Sequence, residues 1–310
     1  MKKIEKVLLS GLGAIGSAFA SKLFDSDPEI LKVIADPVRI EKYQKNGVTV
    51  NDKSYSFQFC KPGSSTGPAD LILIAVKQHN LAQSIQDISG FIGENTIILS
   101  LLNGITSEEI IGEKYGHEKL LLSFVVGTDA VREGTHTHFS NIGKIVFGEV
   151  KNTTDLSKVK AIQELFDRTQ IPYSIPEDMQ RELWWKYMMN VGINQTSAVL
   201  GAPYGVFQKI GEARELMEMA SMEVITLAEK RGINLTKEDI QRYVAVINTL
   251  APDGKTSMLQ DIEAGRKTEV EIFSGTIIEL GLQFGIETPV NQILYRMIRT
   301  LELQQKLLYN

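Results

Sequence analysis

Residues 6–16 read Lys-Val-Leu-Leu-Ser-Gly-Leu-Gly-Ala-Ile-Gly, a short apolar run that leads straight into Gly11-x-Gly13-x-x-Gly16. Few folds need a buried strand, a turn tight enough to require glycine and an immediate helix start in such close succession. In a dinucleotide-binding unit the first glycine permits the turn, the second lets backbone N–H groups approach a pyrophosphate, and the third allows close helix–strand packing. The following helix, read from Ser17-Ala-Phe-Ala-Ser-Lys-Leu, then turns its positive end toward phosphate. Gly11, Gly13, Ala14, Ile15 and Gly16 are therefore candidate cofactor-binding residues. A purely structural glycine turn fits the bare pattern too, and the flanking strand and helix favour the nucleotide reading.

The same stretch has the layout of a secretory signal. Lys2, Lys3 and Lys6 would form its basic region, Val7 to Ala14 its apolar region, and Ala18-Phe19-Ala20 a small-residue cleavage site. Cleavage there would discard the first strand and all three glycines, so the nucleotide-binding reading is preferred.

Short apolar runs continue through the first half: Leu31 to Ala35, Leu71 to Val76, Thr96 to Ser100 and Leu120 to Val126, with Lys144 to Gly148 as a later, antiparallel strand. Alternation of such runs with helical segments predicts a mostly parallel sheet covered by helices. The unbroken apolarity of Leu71-Ile-Leu-Ile-Ala-Val predicts a strand buried on both faces. Beyond Pro172 and Pro176 the texture changes, and Leu183 to Leu200, Glu212 to Arg231, Lys237 to Leu250 and Thr268 to Phe284 carry apolar residues at three- and four-residue spacing. The expected fold class is α/β: an N-terminal Rossmann-type doubly wound domain over residues 1–175, followed by an all-α C-terminal domain over 176–310.

Composition narrows the partners. A net charge of −5, with no cluster of Lys and Arg, gives no footprint for nucleic acid. The longest apolar stretches are too short to span a bilayer. One cysteine, Cys60, excludes an internal disulfide and any cysteine-based zinc site, and no metal site is expected. A reducing cytoplasm suits this usage. The long helices of the second half could bury the face of a homodimer, although an apolar helix face is more often core.

Three further groups of residues carry chemistry. Asp36, twenty positions after Gly16, stands where an acidic side chain holds the adenine ribose of NAD, whereas Arg39 could pair with the extra phosphate of NADP; either could also be a loop charge. Lys77 and Asn103 follow the third and fourth long strands, beyond whose carboxyl ends the ligands of open α/β sheets bind. Taken singly, Lys77 reads as a helix-start charge and Asn103-Gly104 as a turn. Lys186, Asn190 and Asn194 recur every four residues and would form one polar stripe on an otherwise apolar helix, suited to a substrate cleft or to a polar seam between helices. Thr256 and Ser257 could cap a helix whose one face carries Ser257 and Asp261, and Glu269 opens the next.

In this order, Gly11-Leu-Gly13-Ala-Ile-Gly16, Val76-Lys77, Leu102-Asn103-Gly104, Lys186-x-x-x-Asn190-x-x-x-Asn194, Ser257-Met-x-x-Asp261 and Thr268-Glu269 resemble the ketopantoate reductase family (2-dehydropantoate 2-reductase) along nearly the whole chain. The resemblance implies NADPH-dependent reduction of ketopantoate to pantoate, a step toward pantothenate and coenzyme A. It implies Lys186 as the general acid and Glu269 as the group that orients it or binds the substrate hydroxyl. Asn190, Ser257 and, close by, Asn194 would hold the substrate, with Lys77 and Asn103 bridging cofactor and substrate in a cleft between the domains. Two positions depart from the family. Its members usually carry an arginine just after the second strand, where this chain has Asp36-Pro37-Val38-Arg39; NADPH then depends on Arg39, and Asp36 admits NADH. An asparagine that members often place three residues before the serine is here Gly254, which keeps open a paralogue acting on another branched 2-oxo acid. A dehydrogenase of other secondary alcohols and a non-catalytic dinucleotide-binding redox sensor are the remaining alternatives.

Overall fold

The computed structural model describes residues 3–64, 67–153 and 156–309; Lys2 of the signal-like segment lies outside them. Two compact units are present, residues 1–180 and 181–310, and the expected boundary falls a few residues before the observed one.

Among the described residues the first unit contains twelve strands: β1 (Val7–Ser10), β2 (Leu31–Ile34), β3 (Val48–Val50), β4 (Lys53–Tyr55), β5 (Gln58–Cys60), β6 (Leu71–Ile74), β7 (Ile97–Ser100), β8 (Leu120–Val126), β9 (Val131–Glu133), β10 (His136–His138), β11 (Lys144–Gly148) and β12 (Tyr173–Ser174). Eight of them form one sheet in the order β12-β11-β8-β7-β6-β1-β2-β5. All neighbours are parallel except β11 against β8. The run β5-β2-β1-β6-β7-β8 is the doubly wound order, in which the chain reverses its direction of winding between β1 and β6.

Strand alternation divides the core in two. Val7, Leu9, Val33, Leu71, Leu73 and Leu99 face Phe19 and Leu23 of α1 (Ala14–Ser26) and Ile162 and Phe166 of α5 (Ser157–Thr169), whereas Leu8, Ile34, Ile72, Ile74 and Ile98 face Leu81 and Ile85 of α3 (Leu81–Asp87) and Ile111 of α4 (Ser107–Tyr115). As the sequence predicts, β6 is buried along its whole length.

The strands that sequence patterning missed are short. β3, β4, β9 and β10 build a second sheet in the order β4-β3-β10-β9, and three residues are too few to display a period. One signal was present: Asn51 and Asp52, both at positive φ (45° and 64°), make the hairpin turn between β3 and β4. Cys60 is buried at the end of β5.

The second unit is helical: α6 (Met179–Met189), which begins just ahead of it, then α7 (Gln195–Leu200), α8 (Tyr204–Lys209), α9 (Gly211–Lys230), α10 (Lys237–Thr249), α11 (Ser257–Glu263), α12 (Thr276–Phe284) and α13 (Pro289–Tyr309). The expected single helix over Leu183 to Leu200 is interrupted by a π turn, Asn190–Asn194, and the one expected from Thr268 starts only at a second π turn, Glu271–Gly275. Gly192 lies within the first of these turns. A Cβ there would lie 2.5 Å from Ser221 Oγ of α9, so the widened turn rests directly on that helix. α13 was not anticipated, though Thr288-Pro289 is a recognisable helix start. Among the described residues no helix is long and apolar enough to cross a membrane.

Beneath the carboxyl end of β7, Glu108 in the first turn of α4 is buried and accepts hydrogen bonds from Ser107 Oγ (2.8 Å) and Ser123 N (3.4 Å). Burial outweighs these bonds and pushes its carboxyl up to about 7. The folded chain therefore holds this proton more tightly than the unfolded chain. The associated stability is fully present below the ordinary carboxylate pKa and is lost as pH rises through about 7. Glu108→Gln should leave the urea-unfolding free energy nearly unchanged in acid and raise it by roughly 2–3 kcal/mol in mildly alkaline buffer; an equal change at both pH values would contradict this.

Candidate active site

The turn after β1 is built from backbone contacts that only glycine permits. At Gly11 (φ 101°) a Cβ would lie 2.5 Å from the carbonyl oxygen of Ala75, in the segment after β6, and at Gly16 it would lie 1.9 Å from the carbonyl oxygen of Gly11. Gly13 differs, because a Cβ there would meet nothing nearer than 3.9 Å. The protein fills the space beside the first and third glycines and leaves the second facing an open cradle. α1 starts at Ala14 without a side-chain cap and with no acidic residue in its first turn. Its first N–H groups and positive dipole end thus suit an anionic group, and the loop fits a dinucleotide pyrophosphate.

Asp36 and Arg39 engage each other. Asp36 caps α2 (Pro37–Asn46) by accepting from Arg39 N (2.8 Å), and its carboxylate pairs with the Arg39 guanidinium at 3.3 Å. Lys77 and Asn103 lie beyond β6 and β7, both partly exposed, so Gly13, Lys77 and Asn103 all follow the carboxyl ends of adjacent strands. Next to Lys77, Gln78 Oε1 is buried without a hydrogen-bond partner among the described residues. A cavity of about 250 Å³ lined by Lys6, Ile30, Lys32, Pro68 and Phe91 lies at the amino ends of the strands, opposite the glycine turn.

In the second unit the polar stripe exists with altered geometry. Across the π turn Asn194 Nδ2 donates to Asn190 Oδ1 (3.1 Å), and Ser257 Oγ donates to Asn194 Oδ1 (3.4 Å). Thr256, not Ser257, caps α11: it accepts from Leu259 N (3.2 Å) and donates to Ser197 Oγ (3.0 Å). That division of labour frees Ser257 to meet the asparagines. Asp261, which shares the helix face of Ser257, pairs with Arg266 at 2.7 Å.

Lys186 lies in the last turn of α6, partly accessible but ringed by protein. Burial lowers its ammonium to about 8, and the negative charge of Glu269 opposes that shift. Close to neutrality such a lysine still carries its proton but releases it far more readily than a surface lysine. Glu269 is itself partly exposed. The neighbouring Tyr187 hydroxyl donates to Phe273 O (2.8 Å) in the π turn that follows Glu269, which ties the lysine-bearing helix to the carboxylate-bearing segment.

Sequence reasoning missed the residues that hold this frame. Gln195 Oε1 accepts from Ser274 Oγ (2.6 Å) and Ser274 N (3.2 Å), Gln195 Nε2 donates to Asn291 Oδ1 (3.2 Å), and Asn291 Nδ2 donates to Glu223 Oε2 (2.7 Å). One buried network thereby joins α7, the second π turn, α13 and α9. Each residue alone reads as an unremarked helix polar, and only long-range proximity reveals its partners. Among the described residues no group of side chains could hold a metal ion.

Residues 7–152 match the family model for ketopantoate reductase PanE/ApbA, and residues 178–302 match the model for its C-terminal domain. The chain belongs to the ketopantoate reductase family and is an oxidoreductase by that membership. The 2-dehydropantoate 2-reductase of Aquifex aeolicus (strain VF5) is 27% identical over 306 residues, covering 97% of this chain and 98% of that protein. Among solved structures, D-mandelate dehydrogenase with NADH and anilino(oxo)acetate has a TM-score of 0.84 at 21% identity, covering 97% of this chain and 99% of the other. The dimeric ketopantoate reductase from Staphylococcus aureus has a TM-score of 0.80 at 20% identity, with the same coverage. Both share the fold.

The glycine contacts separate stability from ligand binding. Gly16→Ala should cost roughly 3 kcal/mol or more in urea unfolding because backbone must move, whereas Gly13→Ala should stay within about 1 kcal/mol of the parent. Equal losses in the two variants would contradict the open cradle at Gly13.

Proposed function

We propose that this chain reduces a branched 2-oxo acid to the 2-hydroxy acid with a nicotinamide dinucleotide, with ketopantoate to pantoate as the leading reaction. The observation that carries the reading is the enclosed Lys186 ammonium, held near 8 between burial and the charge of Glu269, in the same unit as the linked Asn190, Asn194 and Ser257. A bound nicotinamide would supply the hydride that reaches the ketone carbon. The protein's own work is then electrostatic and acidic. Lys186 offers a positive charge and a proton to the oxygen that becomes an alkoxide, so one group stabilises the developing charge and quenches it. After transfer the neutral amine regains a proton from solvent, favoured by Glu269. Ser257 and the two asparagines offer hydroxyl and amide groups to the carboxylate and hydroxyl of such a substrate.

In the first unit, Gly11, Gly13, Ala14, Ile15 and Gly16 would hold the pyrophosphate, and Lys77 and Asn103 would contact the nicotinamide end. NADPH would need Arg39 to leave Asp36 for the 2′-phosphate, and NADH would use Asp36 on the ribose; we assign NADPH as the first choice, in keeping with the family. A place in pantothenate synthesis, a cytoplasmic site and a homodimer belong to the same reading. For the last, α13 exposes Ile293, Met297, Leu303 and Leu307, and a relative of the same fold is described as dimeric.

A second reading, another 2-oxo acid such as that of mandelate, has a specific observation in its favour. The asparagine that family members often carry is here Gly254, where a Cβ would be crowded by the Ala251 carbonyl oxygen (3.0 Å) and the Tyr204 ring (3.1 Å).

Lys186→Ala should lower kcat by about 10²–10⁴-fold while leaving NADPH affinity, read by titration, nearly unchanged. In the parent enzyme kcat should fall as pH rises through about 8, because the unprotonated amine cannot act as the acid. Glu269→Gln removes the charge that favours the ammonium and should move that limb to lower pH. Near-parental turnover in Lys186→Ala, or a limb unmoved in Glu269→Gln, would exclude these roles.

A further inference from the structure

Arg132, on β9 of the small sheet, belongs to no part of the site described so far. Its Nη1 donates to the carbonyl oxygen of Leu12, inside the glycine turn, and to Ser17 Oγ in the first turns of α1. Its Nε donates to Gly134 O (3.1 Å), and its guanidinium lies over the Tyr43 ring at 5.5 Å from the centroid. Nη2 has no hydrogen-bond partner and no carboxylate pairs with the side chain among the described residues. The group is half-buried, and burial lowers its pKa. A desolvated cation without a counter-charge is costly unless an anion is brought to it.

A trans peptide points its C=O and N–H in opposite directions. Fixing the Leu12 carbonyl from one side therefore fixes the Gly13 N–H on the other, and Gly13 is the glycine that faces the open cradle. We infer that Arg132 is a positioning residue for the phosphates of the dinucleotide: it locks the Leu12–Gly13 peptide in its phosphate-binding orientation and adds an uncompensated positive charge beside the amino end of α1. This rests on the reading of the glycine turn as the cofactor site. The charge acts on the pyrophosphate, which NADH and NADPH share. It does not choose between them.

The test is titration of NADH and of NADPH into the full-length protein and its Arg132→Met and Arg132→Lys variants, followed by nicotinamide fluorescence, with melting curves of each protein alone. Arg132→Met should raise Kd for both cofactors by about tenfold or more. Arg132→Lys, which keeps the charge but not the fork, should fall between, and the parent's affinity should weaken with added salt more steeply than the variant's. At saturating cofactor, kcat should stay within about twofold of the parent, since the residue acts on binding. Unchanged affinity in Arg132→Met overturns the proposal. Loss of NADPH affinity alone overturns it too, by making Arg132 a reader of the 2′-phosphate. Should Arg132→Met melt early, a Lys variant that binds both cofactors as the parent does is the overturning result. Failure of the parent itself to bind either cofactor would sink the underlying cofactor assignment instead.

Discussion

The close approach of backbone to backbone at the first turn is the constraint on which the first unit depends. Gly16 lies against the Gly11 carbonyl, and Gly11 lies against the Ala75 carbonyl, at distances that leave no room for a Cβ. This double contact brings α1 down onto the sheet at the point where winding reverses between β1 and β6. It also leaves Gly13 and the uncapped start of α1 facing outward. The backbone N–H groups that the turn cannot satisfy internally are the ones that the proposed reading assigns to the pyrophosphate.

The second unit solves a different problem, which is to keep an ammonium enclosed by protein yet still charged near neutrality. Desolvation works against the charge and Glu269 works for it. Their balance depends on the relation between α6 and the segment after Thr268. That relation is set by Tyr187 bonding to Phe273 O, by the Gln195–Ser274–Asn291–Glu223 network, and by Thr268, whose N and Oγ1 both donate to Glu302 Oε1 (2.8 and 2.6 Å). Two π turns lie within this frame, one after Lys186 and one after Glu269. Such turns cost regular hydrogen bonding and are common where a helix must re-aim its side chains.

Much of this was legible in the sequence because it rests on local rules. The glycine spacing, the buried run of β6 and the four-residue recurrence of Lys186, Asn190 and Asn194 all declare themselves within a few residues. The π turns did not, since nothing local distinguishes them from α-helix, and the close approach of Gly192 to Ser221 in the first spans two helices. Arg132 was invisible for the same reason. Its partners at Leu12 and Ser17 lie more than a hundred residues away, and a lone arginine in a short strand carries no pattern. Asp36 and Arg39 were legible as candidates, but their mutual engagement in capping α2 was not.

The proposed reaction, reduction of a 2-oxo acid by a nicotinamide dinucleotide with Lys186 as the acid, is open to direct assay. The most direct measurement is the steady-state loss of reduced-nicotinamide absorbance with purified protein, using ketopantoate and the 2-oxo acid of mandelate in parallel, each with NADPH and with NADH. Rapid, substrate-dependent oxidation is expected with ketopantoate and NADPH, yielding the 2-hydroxy acid in equal amount. Binding of the dinucleotide without oxidation by either acid would contradict the proposed reaction.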